Sequence, residues 1–414
     1  MNYKIIDIFL PNLYLKPNFS IVTSSPKRPT YFLIVLVFAQ FAGTTLWLSG
    51  NAVSTQIEAE LGVKLGGWLT SAVQLGFILG TLFNAVFAVP ERVLSSRLFL
   101  FSAVFGALAN ISITFFPLDV PAVLVSRLFT GLFLAGIYPI GMKISADWYG
   151  KDLGRAMGYL VGALVLGKSF PYLLKGISFE LPWKEFLFLI SMVSLIGGVL
   201  LWVLLPDKAL PSQRSKFSIK ALFLLFKMPQ LRAAAFGYFG HMWELYAFWA
   251  FLPVIWKIYL HFHPEYSFNI SIATFIIIVV GFLGCWLGGL LAIRIGSGKV
   301  ALFQLFTSLI CCFILPFLVS FSLPIFCALM LIWGVSVVGD SPQFSTLVSR
   351  FALPERRGSI ITLVTSIGFA ITIVSIQLLD FLLVQFPEDL SVFWVLALGP
   401  IAGLLVSFRR IYGE

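Results

Sequence analysis

The chain has little charge and few of the side chains on which catalysis usually depends. Of its 414 residues only 46 are charged, 28 Lys or Arg plus 18 Asp or Glu, which is about half the share in soluble proteins. Three histidines and four cysteines occur, without the spacing of a metal site. A Gly-rich loop of the Walker type is also missing. We therefore expect neither an enzyme nor a cofactor, and no direct coupling to ATP.

Long apolar runs take the place of the missing charge. Hydrophobic residues make up 59% of the chain, and the mean hydropathy is +0.98. A helical run of about 20 residues crosses about 30 Å of hydrocarbon, and the alternation of a β-barrel is absent. The sequence predicts an all-α polytopic membrane protein with twelve transmembrane helices, at residues 31–53, 66–89, 98–116, 120–142, 156–174, 185–205, 233–256, 268–293, 300–320, 323–348, 359–382 and 391–408.

The distribution of basic residues predicts how these helices are oriented. With the N-terminus inside, the cytoplasmic segments hold 22 of the 28 Lys and Arg, and the external loops hold four. By the positive-inside rule both termini are cytoplasmic. Because the positive charge flanks the membrane, we expect no nucleic-acid partner. We expect a monomer in the inner membrane of a bacterium, with the bilayer, a small-molecule substrate and protons as its partners.

The two halves of the chain carry related patterns. Gly131, Gly136 and Pro139 in the fourth span precede Gly334, Gly339 and Pro342 in the tenth by 203 residues each. Such duplication is common in transporters, so we expect two related six-helix bundles. The predicted segments are an N-terminal tail (1–30), a first bundle (31–205), a cytoplasmic loop (206–231), a second bundle (232–408) and a C-terminal tail (409–414).

Three local patterns give the chain a resemblance to the major facilitator superfamily (MFS). The loop after the second span reads FAVPERVLSSR from Phe87, and it resembles the family's G-x-x-x-D-R-x-x-G-R-R. The equivalent loop of the second half starts at Gly289 and keeps the glycine and two basic positions. The fourth span has the family's R-x-x-x-G as Arg127 and Gly131. The resemblance implies a secondary transporter that works by alternating access.

The resemblance also implies a conformational latch at the cytoplasmic side. In the family, the acid of the loop after the second span contacts helix ends across the two bundles. The residues at the matching positions here are Glu91, Arg92, Arg97, Arg294 and Lys299. The alternative for these residues is that their charges only set the membrane topology.

Few charges lie inside the apolar runs, and each is costly near the bilayer centre. Arg127, Lys168 and Glu244 fall at similar depth in three different spans. Either they form a structural ion pair between the bundles, or two cations bind an anionic substrate beside a proton-accepting carboxylate. His241 and Asp340 are further candidates for proton coupling, and Asp340 is alternatively a helix cap or the partner of a neighbouring arginine. The other predicted cavity residues are Gln40, Tyr138, Trp243, Tyr246 and Gln377.

The function that these features favour is transport of a small organic or inorganic anion in symport with protons. An efflux carrier for amphipathic compounds is the alternative within the same class, and it favours a more aromatic, less charged cavity. A membrane enzyme would need a catalytic cluster, which the sequence does not contain.

Overall fold

The computed structural model describes residues 28–149, 153–177, 181–208 and 217–412, and these residues form helices and turns with no β-strand. The predicted all-helical fold is confirmed. The helices of the first half are α1 (Phe32–Thr44), α2 (Ser49–Ala52), α3 (Ser54–Leu61), α4 (Trp68–Val86), α5 (Ser95–Ser112), α6 (Val120–Leu134), α7 (Tyr138–Tyr149), α8 (Leu153–Ile177) and α9 (Trp183–Leu204). Those of the second half are α10 (Phe223–Lys227), α11 (Pro229–Phe262), α12 (Ile270–Ile295), α13 (Ser297–Leu318), α14 (Leu323–Gly339), α15 (Ser341–Phe351), α16 (Arg357–Gln385) and α17 (Leu398–Ile411).

The helical segments agree with the twelve predicted spans. Within the described ranges, eleven segments are long and apolar enough to cross a membrane, and α1 is a shorter apolar helix. Most of the predicted N-terminal tail, residues 209–216 of the predicted 206–231 loop and the end of the C-terminal tail lie outside the described residues.

The two halves have matching internal contacts. Helix α4 packs along α6 in the first half, as α12 packs along α14 in the second, and α1 packs on α9 as α11 packs on α17. The halves meet where α8 contacts α12 and where α4 contacts α16. In the duplicated pattern α4 corresponds to α12, and α8 corresponds to α16. The two junctions are therefore equivalent, and the contacts follow the internal duplication. Two related six-helix bundles are confirmed.

Glycines allow the paired spans to approach backbone to backbone. A Cβ atom on Gly131 would lie 2.0 Å from the carbonyl oxygen of Val73, and one on Gly76 would lie 1.8 Å from that of Leu128. A Cβ atom on Gly334 would lie 2.4 Å from a carbonyl oxygen of α12. Small residues at helix interfaces permit such contact inside membranes. The motif glycines therefore have a packing role in both bundles.

Three of the predicted spans contain a helix break in the described residues. The break lies between α1 and α2 in the first span, between α6 and α7 in the fourth, and between α14 and α15 in the tenth. The last two breaks fall beside Pro139 and Pro342, at matching positions of the duplicated pattern. Backbone groups freed at a break need other partners in hydrocarbon. Asn84 supplies one, because its Nδ2 donates to the carbonyl oxygen of Ala135 at 3.2 Å.

Candidate functional site

Arg127 on α6 hydrogen-bonds to the main chain at the break in the first span. Its Nη2 donates to the carbonyl oxygens of Leu46 and Trp47 at 2.8 and 2.9 Å, both in the turn between α1 and α2. Its Nη1 donates to Asn110 Oδ1 at 2.6 Å and to Ser49 Oγ at 3.2 Å. Only 2% of the side chain is exposed. The guanidinium thus supplies hydrogen bonds to main-chain oxygens that an intact helix would have satisfied by itself.

The predicted meeting of Arg127, Lys168 and Glu244 does not occur. In the described part of the chain, no carboxylate oxygen lies within 4.0 Å of either cation. Arg127 turns toward the α1–α2 break, and Glu244 turns into its own bundle. The structure therefore corrects the predicted ion pair among these three side chains within the described residues. The alternative, a shared anion site, stays a prediction.

Lys168 lies instead in a cluster of aromatic rings between the two halves. Its Nζ is 3.9 Å from the ring centre of Trp47, 4.5 Å from that of Tyr246 and 5.4 Å from that of Trp249, and it donates a hydrogen bond to the Tyr246 hydroxyl. Phe77 and Phe369 also pack against these rings, and the centres of their own two rings are 4.6 Å apart. Lys168 and the five rings are called the central aromatic cluster below.

The central aromatic cluster holds donors without acceptors. The indole Nε1 atoms of Trp47 and Trp249 are buried and have no hydrogen-bond partner among the described residues. Lys168 is 1% exposed, and among the described residues its hydrogen-bond acceptor is the Tyr246 hydroxyl. One turn before Phe77 on α4, the buried amide of Gln74 has no partner either. Beside the lysine, three buried N–H groups, on Trp47, Trp249 and Gln74, therefore lack an acceptor among the described residues.

Glu244 forms a separate polar cluster inside the second bundle. Its Oε1 accepts from Trp333 Nε1 at 2.6 Å and from Cys312 Sγ at 3.2 Å, and its Oε2 accepts from Ser308 Oγ at 2.9 Å. The donors come from α13 and α14, and Glu244 is 1% exposed. Because an ionised carboxylate only accepts hydrogen bonds, three donors suit its charged form.

His241 lies on α11 about one turn before Glu244, and it forms a buried pair with Asp340. His241 Nδ1 lies 2.7 Å from Asp340 Oδ1, and both side chains are at most 1% exposed. Asp340 occupies the break between α14 and α15, where it ends the first helix and precedes the second. The structure thus brings together the two residues that the sequence suggested separately for proton coupling.

The other predicted cavity residues lie in different places. Tyr246 belongs to the central aromatic cluster. Trp243 faces the last span, because its Nε1 donates to the carbonyl oxygen of Val395 at 2.9 Å. Gln377 Nε2 donates to Ser71 Oγ at 2.8 Å, which joins α16 to α4 near the predicted external end.

Gln40 and Tyr138 lie in the first bundle. The Gln40 amide is fully buried beside Gly141 and has no described hydrogen-bond partner. Tyr138 is half-buried at the first residue of α7. The Tyr138 hydroxyl interacts electrostatically with that of Tyr246 in the central aromatic cluster, whereas Gln40 lies beside Gly141 of α7.

The predicted latch residues lie at the opposite end of the spans from Gln377. Glu91 ends a short 3₁₀ helix (Val89–Glu91) and lines a cavity of about 210 Å³ together with Gly358 and Ser359, from the first turn of α16. Arg92 and Arg97 are half-buried nearby in sequence, and Arg294 is exposed in the last turn of α12. Lys299 Nζ lies 5.6 Å from the ring centre of Tyr412. Glu91 is thus close to a helix end of the other half.

Sequence reasoning missed most of the central aromatic cluster. Trp47, Trp249, Phe77 and Phe369 are four of the 66 aromatic residues of the chain, 11 Trp, 12 Tyr and 43 Phe, and nothing local separates them from packing residues. One available signal was the run of Thr, Ser, Gly and Asn around Trp47 inside an apolar span, which favours a break. Another was the spacing of Tyr246 and Trp249, which places them on one face of α11.

Comparisons with known proteins agree with this architecture. The family model of the Major Facilitator Superfamily matches residues 31–376. A crystal structure of a mutant of the nucleoside transporter NupG is similar to this fold, with a TM-score of 0.69 over 91% of this chain and 98% of that one, at 14% sequence identity. No curated protein sequence matches the chain. The chain belongs to the Major Facilitator Superfamily, and it is a multi-pass integral membrane protein of the transporter type.

Proposed function

We propose that this transporter moves a small organic or inorganic anion by alternating access and that Lys168 is the cation that binds it. The observation that carries the proposal is a fully buried ammonium group between the two bundles with no carboxylate within 4.0 Å among the described residues. A buried charge without a counter-charge is costly. An anionic substrate would supply that counter-charge, so the substrate completes the site.

The neighbouring groups support the same ligand chemistry. The unpaired indole donors of Trp47 and Trp249 would hydrogen-bond an acceptor, and neither group offers a lone pair to a cationic ligand. Rings from both halves surround the same ammonium. A ligand bound here would contact both bundles at once, and alternating access needs such a ligand. Arg127 then acts as a positioning residue that fixes the break beside Trp47.

The coupling proton is assigned to the second bundle. The buried His241–Asp340 pair lies at a helix break, where a change in protonation would alter how α14 and α15 are held. Glu244 lies one turn away and is already satisfied by three donors, so we give it a supporting electrostatic role. Glu91 keeps the role of a latch against the first turn of α16, in a membrane orientation with both termini inside.

The test of the anion site uses three variants in proteoliposomes. Lys168→Met removes the cation, Lys168→Arg retains it, and Lys257→Met is a control because Lys257 is exposed near the end of α11. The probes are acetate, benzoate, phosphate, nitrate and uridine, each measured for binding by thermal shift and for exchange by counterflow. We expect an anion to stabilise the wild type and its affinity to fall roughly tenfold or more in Lys168→Met.

Stability separates a binding role from a structural one. If Lys168 serves to bind an anion, the Lys168→Met protein should unfold no more easily than the wild type, because the substitution removes a buried uncompensated charge. A protein that loses stability and keeps its anion affinity contradicts the proposal. Uridine is included because the similar structure is that of a nucleoside transporter, and stabilisation by uridine alone would favour a neutral substrate.

Proton coupling has its own test. Asp340→Asn should abolish uptake driven by a pH gradient while leaving anion exchange intact, since exchange needs reorientation without net proton transfer. If Asp340→Asn takes up substrate at the wild-type rate in a pH gradient, the His241–Asp340 pair does not carry the coupling proton.

The aromatic rings also favour one alternative, efflux of amphipathic compounds. Five rings around one site would bind flat apolar groups. Counterflow of a lipophilic cation such as tetraphenylphosphonium distinguishes the alternatives, because the Lys168 ammonium should repel it. Transport of this cation without transport of any anion would favour the efflux carrier.

A further inference from the structure

A pocket with two arginines opens at the predicted cytoplasmic end, between the start of α1 and the end of α7. It has a volume of about 360 Å³ and is lined by Arg28, Thr30, Tyr149 and Arg155. The Arg28 guanidinium carbon lies 4.3 Å from the ring centre of Tyr149, which fixes its position. No carboxylate oxygen lies within 4.0 Å of either arginine in the described ranges. The pocket therefore has two positive charges and no described acid to neutralise them.

An apolar groove continues from this pocket along the outside of the protein. Its volume is about 770 Å³, and Arg155 and Leu33 line both spaces. Beyond Arg155 the groove is lined by Val37 and Phe41 of α1, Leu166 of α8 and Phe282 of α12. From Arg155 to Leu166 the helix rises roughly 16 Å at 1.5 Å per residue. This length is about that of one leaflet of a 30 Å hydrocarbon core.

We propose that this pocket and groove bind one anionic phospholipid of the cytoplasmic leaflet, with its phosphate between Arg28 and Arg155 and an acyl chain in the groove. The charge complementarity is direct, because arginine matches phosphate with several N–H donors. The order of the parts also fits, since the cations lie at one end and the apolar walls follow toward the membrane centre. A free anion would use the arginines but would leave the apolar groove without an occupant.

The position of the groove links the lipid to both bundles. Helices α1 and α8 belong to the first half, and α12 belongs to the second. At the floor of the groove, a Cβ atom on Gly162 of α8 would lie 2.5 Å from the Phe282 ring, so the halves touch there. An acyl chain that fills the groove would contact both sides of this junction. The lipid would then hold the two halves in this relative position.

Native mass spectrometry of delipidated full-length protein tests the proposal. The protein is titrated with dioleoyl phosphatidylglycerol, dioleoyl phosphatidylcholine and water-soluble glycerophosphoglycerol. Three variants are compared with the wild type: the double variant Arg28→Gln with Arg155→Gln, the groove-filling Val37→Trp, and the control Arg409→Gln, whose arginine is exposed in the last turn of α17.

The expected result is preferential binding of phosphatidylglycerol by the wild type and by Arg409→Gln. The double variant should lose roughly fivefold in affinity for each arginine removed, following the usual contribution of a basic residue near anionic lipid, and should no longer distinguish the two lipids. Val37→Trp should weaken both lipids because it blocks the acyl chain. Equal binding of the two lipids by the wild type overturns the proposal, as does an equal loss in Arg409→Gln. Glycerophosphoglycerol binding as tightly as the lipid would also overturn it, in favour of a free-phosphate site.

Discussion

Replacement of Arg127 by lysine should destabilise the fold without removing charge from the membrane. The guanidinium donates four hydrogen bonds, two of them to the carbonyl oxygens of Leu46 and Trp47 at the α1–α2 break. A lysine ammonium is a compact donor and cannot span the same fork. If two buried acceptors are left unsatisfied, at about 1–3 kcal/mol each, the loss is about 2–6 kcal/mol. Against a total of about 5–15 kcal/mol, this is a large effect.

The measurement is reversible denaturation of purified protein in mixed micelles, with anion binding followed on the folded fraction. Arg409→Lys is the control, since Arg409 is exposed. Asn110→Ala should be non-additive with Arg127→Lys, because Asn110 Oδ1 is a direct partner of the guanidinium at 2.6 Å. The reasoning is refuted if Arg127→Lys unfolds within about 0.5 kcal/mol of the wild type, the range of a neutral surface change, and yet loses anion binding. That result would make Arg127 a substrate ligand.

Three further predictions concern backbone and pH. Ala88 has φ of 49°, so Ala88→Gly should stabilise the protein by about 1 kcal/mol in denaturation. Gly131→Ala should destabilise it by about 1–3 kcal/mol through the carbonyl clash at 2.0 Å, whereas Gly158→Ala, on an open face, should stabilise it by about 1 kcal/mol; equal effects of the two changes would contradict the packing argument. The bond to Glu265 raises the pKa of His263, and the bond to His263 lowers the pKa of Glu265. The pair therefore stabilises the fold between the ordinary values of 4.5 and 6.5, and this contribution is lost above the raised His263 pKa and below the lowered Glu265 pKa. Thermal melts of wild type and Glu265→Gln should differ most in that interval and converge in alkali, and a constant difference would exclude the pair.

The helices could be predicted because a membrane span must satisfy its own backbone. Only a helix does this within one segment, so each long apolar run became a helix close to its predicted position. The break in the first span was not predicted from the average hydropathy of 31–53. It depends on Arg127, which lies 80 residues from Trp47 and satisfies its carbonyl oxygen from another helix.

The site was harder to predict because depth in the membrane does not give rotation about a helix axis. Counting residues placed Arg127, Lys168 and Glu244 in one layer, but in the structure only the two cations reach a common residue, Trp47. Glu244 finds its donors inside its own bundle, and Lys168 finds rings from both bundles. The sequence suggested His241 and Asp340 as two separate candidates. Only the folded structure shows that their side chains are 2.7 Å apart.

The lone ammonium of the central aromatic cluster has an electrical consequence. A charge fixed to a moving carrier crosses part of the membrane field whenever the carrier reorients, and one full elementary charge is worth about 2.3 kcal/mol per 100 mV. When Lys168 is charged and the site is empty, the membrane potential acts on the return step of the cycle. When a monovalent anion is bound, the moving charge is neutralised and the potential has little effect on the loaded step. A buried lysine without a counter-ion would thereby make the direction of the empty carrier sensitive to voltage.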